Sequence, residues 1–437
     1  MTSASSKFPT DLHGWAELLP EREVRQALTG NHRTPWVVVG AGVTGLACAR
    51  RLAELHPDQE ILQLDARQVG QGASGRNSGF AVATSQFPGR VVPDQLENYR
   101  RVNRINQAGV DLLSWQVSEN AIDCQWSAEG IYHTAADRVA IKEHNHFLRY
   151  LETLGIEHTP LDRTALNERL GTSLYQVGIH VTGGALLQPA ALVYGLADTL
   201  PSNVKLFEQS PVLKIENGKP LTLQLAAGEV KTDNLILAMN YEASTLGFLR
   251  PYLTGSTLSG SFTRVLSKPE LASLGSQTEW GVISLHGGGA TLRLTRDHRL
   301  CIRNTAEYHG SKLLSDQELA HRQAIHRSAF DKRFPQLAQV PFEYSWSGVE
   351  GISRNSTNFF GRQRDNIYLA GGFNGSGISR GTAFGTAIAD YASGETSQTV
   401  NDCLASAPGA WMPPRPFLDI GAYFKVYTRF RGVGLDR

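Results

Sequence analysis

The residues of this 437-residue chain with the clearest chemical use are three glycines and a carboxylate. Gly40, Gly42 and Gly45 sit in Trp36-Val-Val-Val-Gly40-Ala-Gly42-Val43-Thr44-Gly45-Leu-Ala, where an apolar β-branched run meets a tight turn and a helical pattern begins at once. A dinucleotide pyrophosphate needs that order. Gly40 allows the turn, Gly42 lets the backbone approach the phosphates, and Gly45 lets the helix pack close to the strand. The free N–H groups at the helix start then face the negative charge. Such a motif alone is weak, because glycine turns are common, but its context fills in. Glu60–Asp65 reads as a second strand ending in a carboxylate twenty positions after Gly45, placed to accept from ribose hydroxyls.

Two further glycine-rich stretches need elements to hold them. Val69–Phe80 contains Gly72-Ala73-Ser74-Gly-Arg76-Asn77-Ser78-Gly79. Asn366–Ile378 repeats the strand-then-loop arrangement through Gly372-Phe373-Asn374-Gly375-Ser376-Gly377, and a small-residue helix continues over Thr382–Tyr391. Between them the pattern predicts helices over 95–155 and a helix after Pro189. Short strands follow at Val204–Phe207, Val212–Glu216 and Leu221–Leu225, with Asn217-Gly218 as a hairpin turn. Asp233–Met239 reads as a buried strand returning to the first sheet, residues 255–310 as largely extended, and 315–335 as a helix.

The first and last glycine motifs bracket the chain, so the predicted fold class is α/β. A discontinuous Rossmann-like domain holds the dinucleotide, and a mixed-sheet α+β substrate domain is inserted in it. The expected divisions are an N-terminal extension over 1–34, the dinucleotide domain over 35–90, 180–245 and 345–395, and the substrate domain over 91–179 and 246–344. A tail over 396–437 completes the chain, and either docks a partner or packs on its own domain.

Composition narrows the function. With 41% hydrophobic residues the chain can bury two or three cores. A net charge of +1 gives no reason to expect nucleic acid or an anionic membrane as partner. Cys48, Cys124, Cys301 and Cys403 lie far apart without a CxxC, so they suit neither a zinc site nor a disulfide framework. That usage predicts a reducing, cytoplasmic setting. Met1–Thr10 has no apolar signal region, and no run approaches the ~18 apolar residues of a membrane span. His144 and His146 stand two apart on a predicted helix and point apart, which fits a solvated face better than a metal. Ser74 is not in a GxSxG elbow.

Taken together, Gly40-x-Gly42-x-x-Gly45 with Asp65, Gly72–Gly79, Trp346-Ser-Gly348 and Asn366–Gly377 resemble the FAD-dependent D-amino-acid oxidase/sarcosine oxidase superfamily, above all its γ-glutamylputrescine-oxidoreductase-like branch. The likeness spans about residues 12–395. It departs from the branch at Ser78-Gly79-Phe80, where Gly-Gly-Gln is frequent, and at Ser376, where a histidine is frequent. Both positions are expected near the isoalloxazine, so the branch's polyamine substrates do not carry over.

The resemblance implies FAD as cofactor. Gly40, Gly42, Val43, Thr44 and Gly45 would meet the pyrophosphate, and Asp65, with Ala66 and Arg67 behind it, the adenosine ribose. Gly72, Ala73, Ser74, Arg76, Asn77 and Ser78 would meet the pyrophosphate or the ring's polar edge. Val212 would meet the adenine through its backbone. The loop Gly372, Phe373, Asn374, Gly375, Ser376, Gly377 and Ile378 would face the flavin N1/C2=O edge. Attachment is expected to be non-covalent, since Arg76 stands where some relatives use histidine and residues 349–360 contain no cysteine. No metal is expected.

The resulting expectation is oxidation of the C–N bond of an amine or amino acid by hydride transfer to flavin. The partners are that small molecule and O2 or another electron acceptor. An FAD-dependent hydroxy-acid dehydrogenase and a flavin-carrying subunit active only in a complex are the alternatives. No catalytic base stands out. His286, Arg354 and Arg380 are candidates for substrate contact. Arg293, Arg296 and Arg303 are open to a carboxylate contact or to salt bridges and solvent.

Overall fold

A computed structural model describes residues 13–87, 89–431 and 433–436. Its first sheet sets the parallel strands Val204–Phe207, Ile61–Leu64, Gly30–Val39, Gly228–Leu237 and Ile367–Gly371 side by side in that order. Phe359–Arg364 closes one edge antiparallel, and the hairpin Lys214–Glu216/Leu221–Leu225 pairs with Gly228–Leu237. The central strands are near-continuous apolar runs because both faces are covered. Trp36, Val38 and Ile236 pack beneath the helices Val43–Leu55 and Gly377–Ala392. Val37, Val39, Leu62 and Leu235 pack with the hairpin's Leu221 and Leu223 on the other face. Burying each such side chain contributes roughly 1.5–3 kcal/mol.

The second sheet runs in the order Phe342–Ser353, Leu253–Thr263, Leu300–Glu307, Thr291–Leu294, Trp280–Ser284, Ile131–Ala135, Val177–Val181 and His158–Asp162. It is antiparallel except where Trp280–Ser284 meets Ile131–Ala135. Helix Asp316–Arg333 packs on one of its faces and starts at a capping box, Ser315 with Glu318.

Several boundaries differ from expectation. The region 95–155 is two helices, Leu96–Glu119 and Arg138–Leu154, separated by the strand Ile131–Ala135, whose five residues are all buried. Helix Leu96–Glu119 packs on Gly377–Ala392, against the first sheet's helical layer rather than the second sheet. The divisions drawn at 180 and 345 fall inside the strands Val177–Val181 and Phe342–Ser353, both of the second sheet.

His144 is buried with Ala140, Phe147 and Leu151, so that helix face is core rather than solvated. Trp15 is fully buried between Phe262 and Trp346, which ties the N-terminal segment to the second sheet as well as the first domain. Met1–Thr10 lies outside the described residues. The tail packs on its own chain: Tyr308 donates to Asp419 at 2.6 Å, and buried Asp436 pairs with Arg333. Among the described residues no helix is long and apolar enough to cross a membrane, and no side-chain cluster could hold a metal ion.

Candidate dinucleotide and substrate site

Gly40 takes φ +109°, and a Cβ there would stand 2.7 Å from the Ala238 carbonyl oxygen. A Cβ at Gly42 would stand 2.7 Å from Ser74 Oγ, and one at Gly45 would collide with the Gly40 carbonyl. The turn at Gly40 and the close helix packing at Gly45 are therefore visible in the fold. Asp65 continues directly from the strand Ile61–Leu64 and accepts from the N–H groups of Ala41, 2.7 Å, and Arg67, 2.8 Å. Burial pushes its pKa up to about 6 against the lowering pull of those two N–H groups. Ala66 and Arg67 follow, and the Arg67 guanidinium pairs with Glu242. Val212 stands between the strands Val204–Phe207 and Lys214–Glu216, so the strand expected to begin at Val212 begins two residues later.

One cavity of about 1290 Å³ continues from this groove to the second sheet. Its walls include the Gly40–Thr44 turn, Asp65, Val212, the Gly72–Ser78 stretch, and Phe373–Ile378. Helices Val43–Leu55 and Gly377–Ala392 both begin at this cavity without a cap from their own N-cap side chains, and Ser74 Oγ accepts from the Val43 N–H at 3.1 Å. Uncapped helix starts present donors and a positive dipole end to an electron-rich ligand. A cradle that Cβ atoms would fill, a half-buried carboxylate at the strand end and two uncapped helix starts fit FAD. Gly42, Val43 and Thr44 would hold its pyrophosphate, Asp65 its ribose, and the Gly372–Ile378 loop its ring edge.

The glycine loops are braced by side chains expected to touch ligand. Arg76 is buried and donates to the Gln71 carbonyl, 2.8 Å, Gln71 Oε1, 2.8 Å, and the Ser347 carbonyl, 3.0 Å, tying its loop to the second sheet. Asn77 caps its own turn through the Ala73 and Ser74 carbonyls and the Gly79 N–H. Asn374, at φ +52°, accepts from the Ser353 N–H and donates to the Thr357 and Gly372 carbonyls. Phe373 and Ile378 are buried in cores. These residues shape the loops and leave the main chain as their offering to a ligand.

Of the substrate candidates, Arg380 is corrected to a brace. It is buried and donates to Asn106 Oδ1, the Phe373 carbonyl and Ser85 Oγ, with burial pushing its pKa down to about 10. Arg354 is exposed at the cavity mouth and donates to the Trp411 carbonyl at 3.1 Å. His286 lines the cavity, its Nδ1 3.3 Å from the Gly288 N–H. Arg293 is buried on the Gly79 and Leu187 carbonyls and Glu279, and exposed Arg296 pairs with Glu279. Arg303 lines the cavity and contacts Thr291.

Sequence reasoning missed Asn240 and Asn358. Asn240 Oδ1 accepts from the Gly372 N–H at 2.9 Å, and Asn358 donates to the Gly372 carbonyl at 2.5 Å. The available signal was an asparagine directly after a strand, a type that tolerates the φ of +51° found there. It also missed Glu350, and the tail residues Ala422, Lys425 and Val426, all of which line the cavity.

Comparison with known proteins agrees with this geometry. The γ-glutamylputrescine oxidoreductase of Escherichia coli (strain K12) is 26% identical over 408 residues, covering 90% of this chain and 92% of that one. The probable oxidoreductase OrdL of Haemophilus influenzae is 26% identical over 377 residues, covering 82% of each. The crystal structure of glycine oxidase from Geobacillus kaustophilus superposes with a TM-score of 0.71 at 18% identity, covering 84% of this chain and 96% of that one. Residues 35–391 match the family described as DAO, FAD dependent oxidoreductase, and the chain belongs to that family of FAD-dependent oxidoreductases.

Proposed function

We propose that this chain oxidises the C–N bond of an amine or amino acid. The observation that carries the reading is the single cavity joining the dinucleotide groove to the face of the second sheet, with the Gly372–Ile378 loop at the junction. That arrangement sets room for a small molecule against the place where the flavin ring belongs. The activities named for the γ-glutamylputrescine oxidoreductase and the glycine oxidase support nitrogen-bearing substrates. Bound FAD would supply a two-electron hydride acceptor.

The chain's residues position the substrate, exclude water and favour negative charge at the loop. The start of helix Gly377–Ala392 contributes its positive dipole end, and Asn240, Asn358 and Asn374 hold the loop rigid against it. The substrate loses hydride from its α-carbon while the nitrogen lone pair closes a C=N bond and an N–H proton leaves to solvent. Water then adds to the imine and the C–N bond breaks. The products are an aldehyde or keto acid and ammonia or a smaller amine. The two electrons pass to O2 or another acceptor. FAD is held without a covalent bond, and the four buried free cysteines support a reducing, cytoplasmic setting.

Product analysis tests this reading. Turnover with an amine or amino acid should give one aldehyde or keto acid for each two-electron equivalent reaching the acceptor. Acceptor reduction with a hydroxy acid and with no amine or amino acid would overturn it.

A further inference from the structure

We infer that Glu350 holds the substrate's amino group; this rests on the C–N reading above. Strand Phe342–Ser353 alternates its faces. Ser345 Oγ meets Ser261 and Gln323, and Ser347 Oγ accepts from the Leu314 N–H, so these two lie on the face away from the cavity. Trp346 Nε1 donates to the Arg76 carbonyl, and a Cβ at Gly348 would stand 3.2 Å from Arg76 Cβ. Trp346 and Gly348 therefore face the glycine loops, and Glu350, two residues on, shares their face. Its Oε2 lies 3.5 Å from where a Cβ on Gly375 would stand, which places the carboxylate beside the loop expected at the ring edge.

Among the described residues that line the cavity, the acidic ones are Asp65, Glu242 and Glu350. The first two belong to the adenosine end, where Glu242 pairs with Arg67. Glu350 is thus the acidic group at the substrate end. A carboxylate accepts several donors at once, so its other contacts are compatible with an ammonium or amine N–H.

The test is anaerobic rapid mixing of the FAD-loaded enzyme, wild type and variants, with an alkylamine and with the α-amino acid of matched side chain. FAD content and thermal unfolding are recorded for each protein. E350Q should weaken amine binding about ten- to a hundredfold, with a smaller change in the limiting rate of flavin bleaching. E350D, which keeps the charge, should stay closer to wild type than E350Q does, and E350R should bind amines more weakly still. Wild type bleached by amines, with FAD-loaded E350Q unchanged in affinity, would overturn this inference alone. Wild type bleached by no amine or amino acid would overturn the C–N reading and this inference with it.

Discussion

Asp65 is held between the Ala41 and Arg67 N–H groups, and burial pushes its pKa up to about 6 from an ordinary 3.8. A carboxyl whose folded pKa lies above its unfolded value loses stabilisation as it ionises. The apoprotein's stability from this group therefore falls as pH rises from about 4 through about 6. A ribose hydroxyl donates to the ionised form, so FAD affinity should rise through the same window and then level off. Flavin-fluorescence titrations between about pH 4 and 8 (about two units either side of that pKa) should show the rise. Asp65→Asn should flatten it and weaken binding about ten- to a hundredfold above pH 7, from a lost bond of roughly 1.5–3 kcal/mol. A wild-type affinity independent of pH would contradict this role.

Glycines were legible in the sequence because backbone conformation and close approach admit little else, as at Gly40. Arginines were not. Beside its local bonds to Gln71, Arg76 is tied to Ser347, and Arg380 to Asn106, 271 and 274 residues away along the chain, and no local pattern announces such partners.

At the scale of elements, the helix Gly377–Ala392 is positioned by its neighbours. Helix Leu96–Glu119 crosses it at Gly109, where a Cβ would collide with the Ser379 backbone, two residues inside the start of Gly377–Ala392. Gly109→Val should force the two helices apart, costing about 1–3 kcal/mol and displacing the helix start that faces the ring edge. Thermal unfolding with and without added FAD should show a lower midpoint and a smaller flavin-induced rise. Gly421→Ala, which meets nothing within 4 Å, serves as the comparison. An unchanged midpoint and flavin response in Gly109→Val would show that the crossing tolerates a side chain.

Val204–Phe207 and Leu221–Leu225 were readable to the residue, since apolar runs between turn signals define them. Ile131–Ala135 was not, because its buried faces leave no alternation to set it apart from the helices around it. The Trp346-Ser-Gly348 stretch was assigned to the dinucleotide domain for its motif, although its strand pairs along its length with Leu253–Thr263.

For the whole molecule, the two sheets enclose one cavity, and the chain's last segment returns to wall it. Ala422, Lys425 and Val426 line the cavity, and Asp436 is locked by Arg333 and by Ser284, two residues from His286. A redox site walled in this way sets a small substrate beside the place the flavin would take. The most direct measurement is the visible absorbance of the FAD-loaded enzyme, mixed anaerobically with a panel of mono-, di- and polyamines, amino acids and hydroxy acids. The account predicts bleaching by an amine or amino acid, faster as pH rises until the amine is largely neutral, because an ammonium has no lone pair to close the C=N bond. Flavin that stays oxidised with every amine and amino acid while a hydroxy acid bleaches it would contradict the C–N assignment.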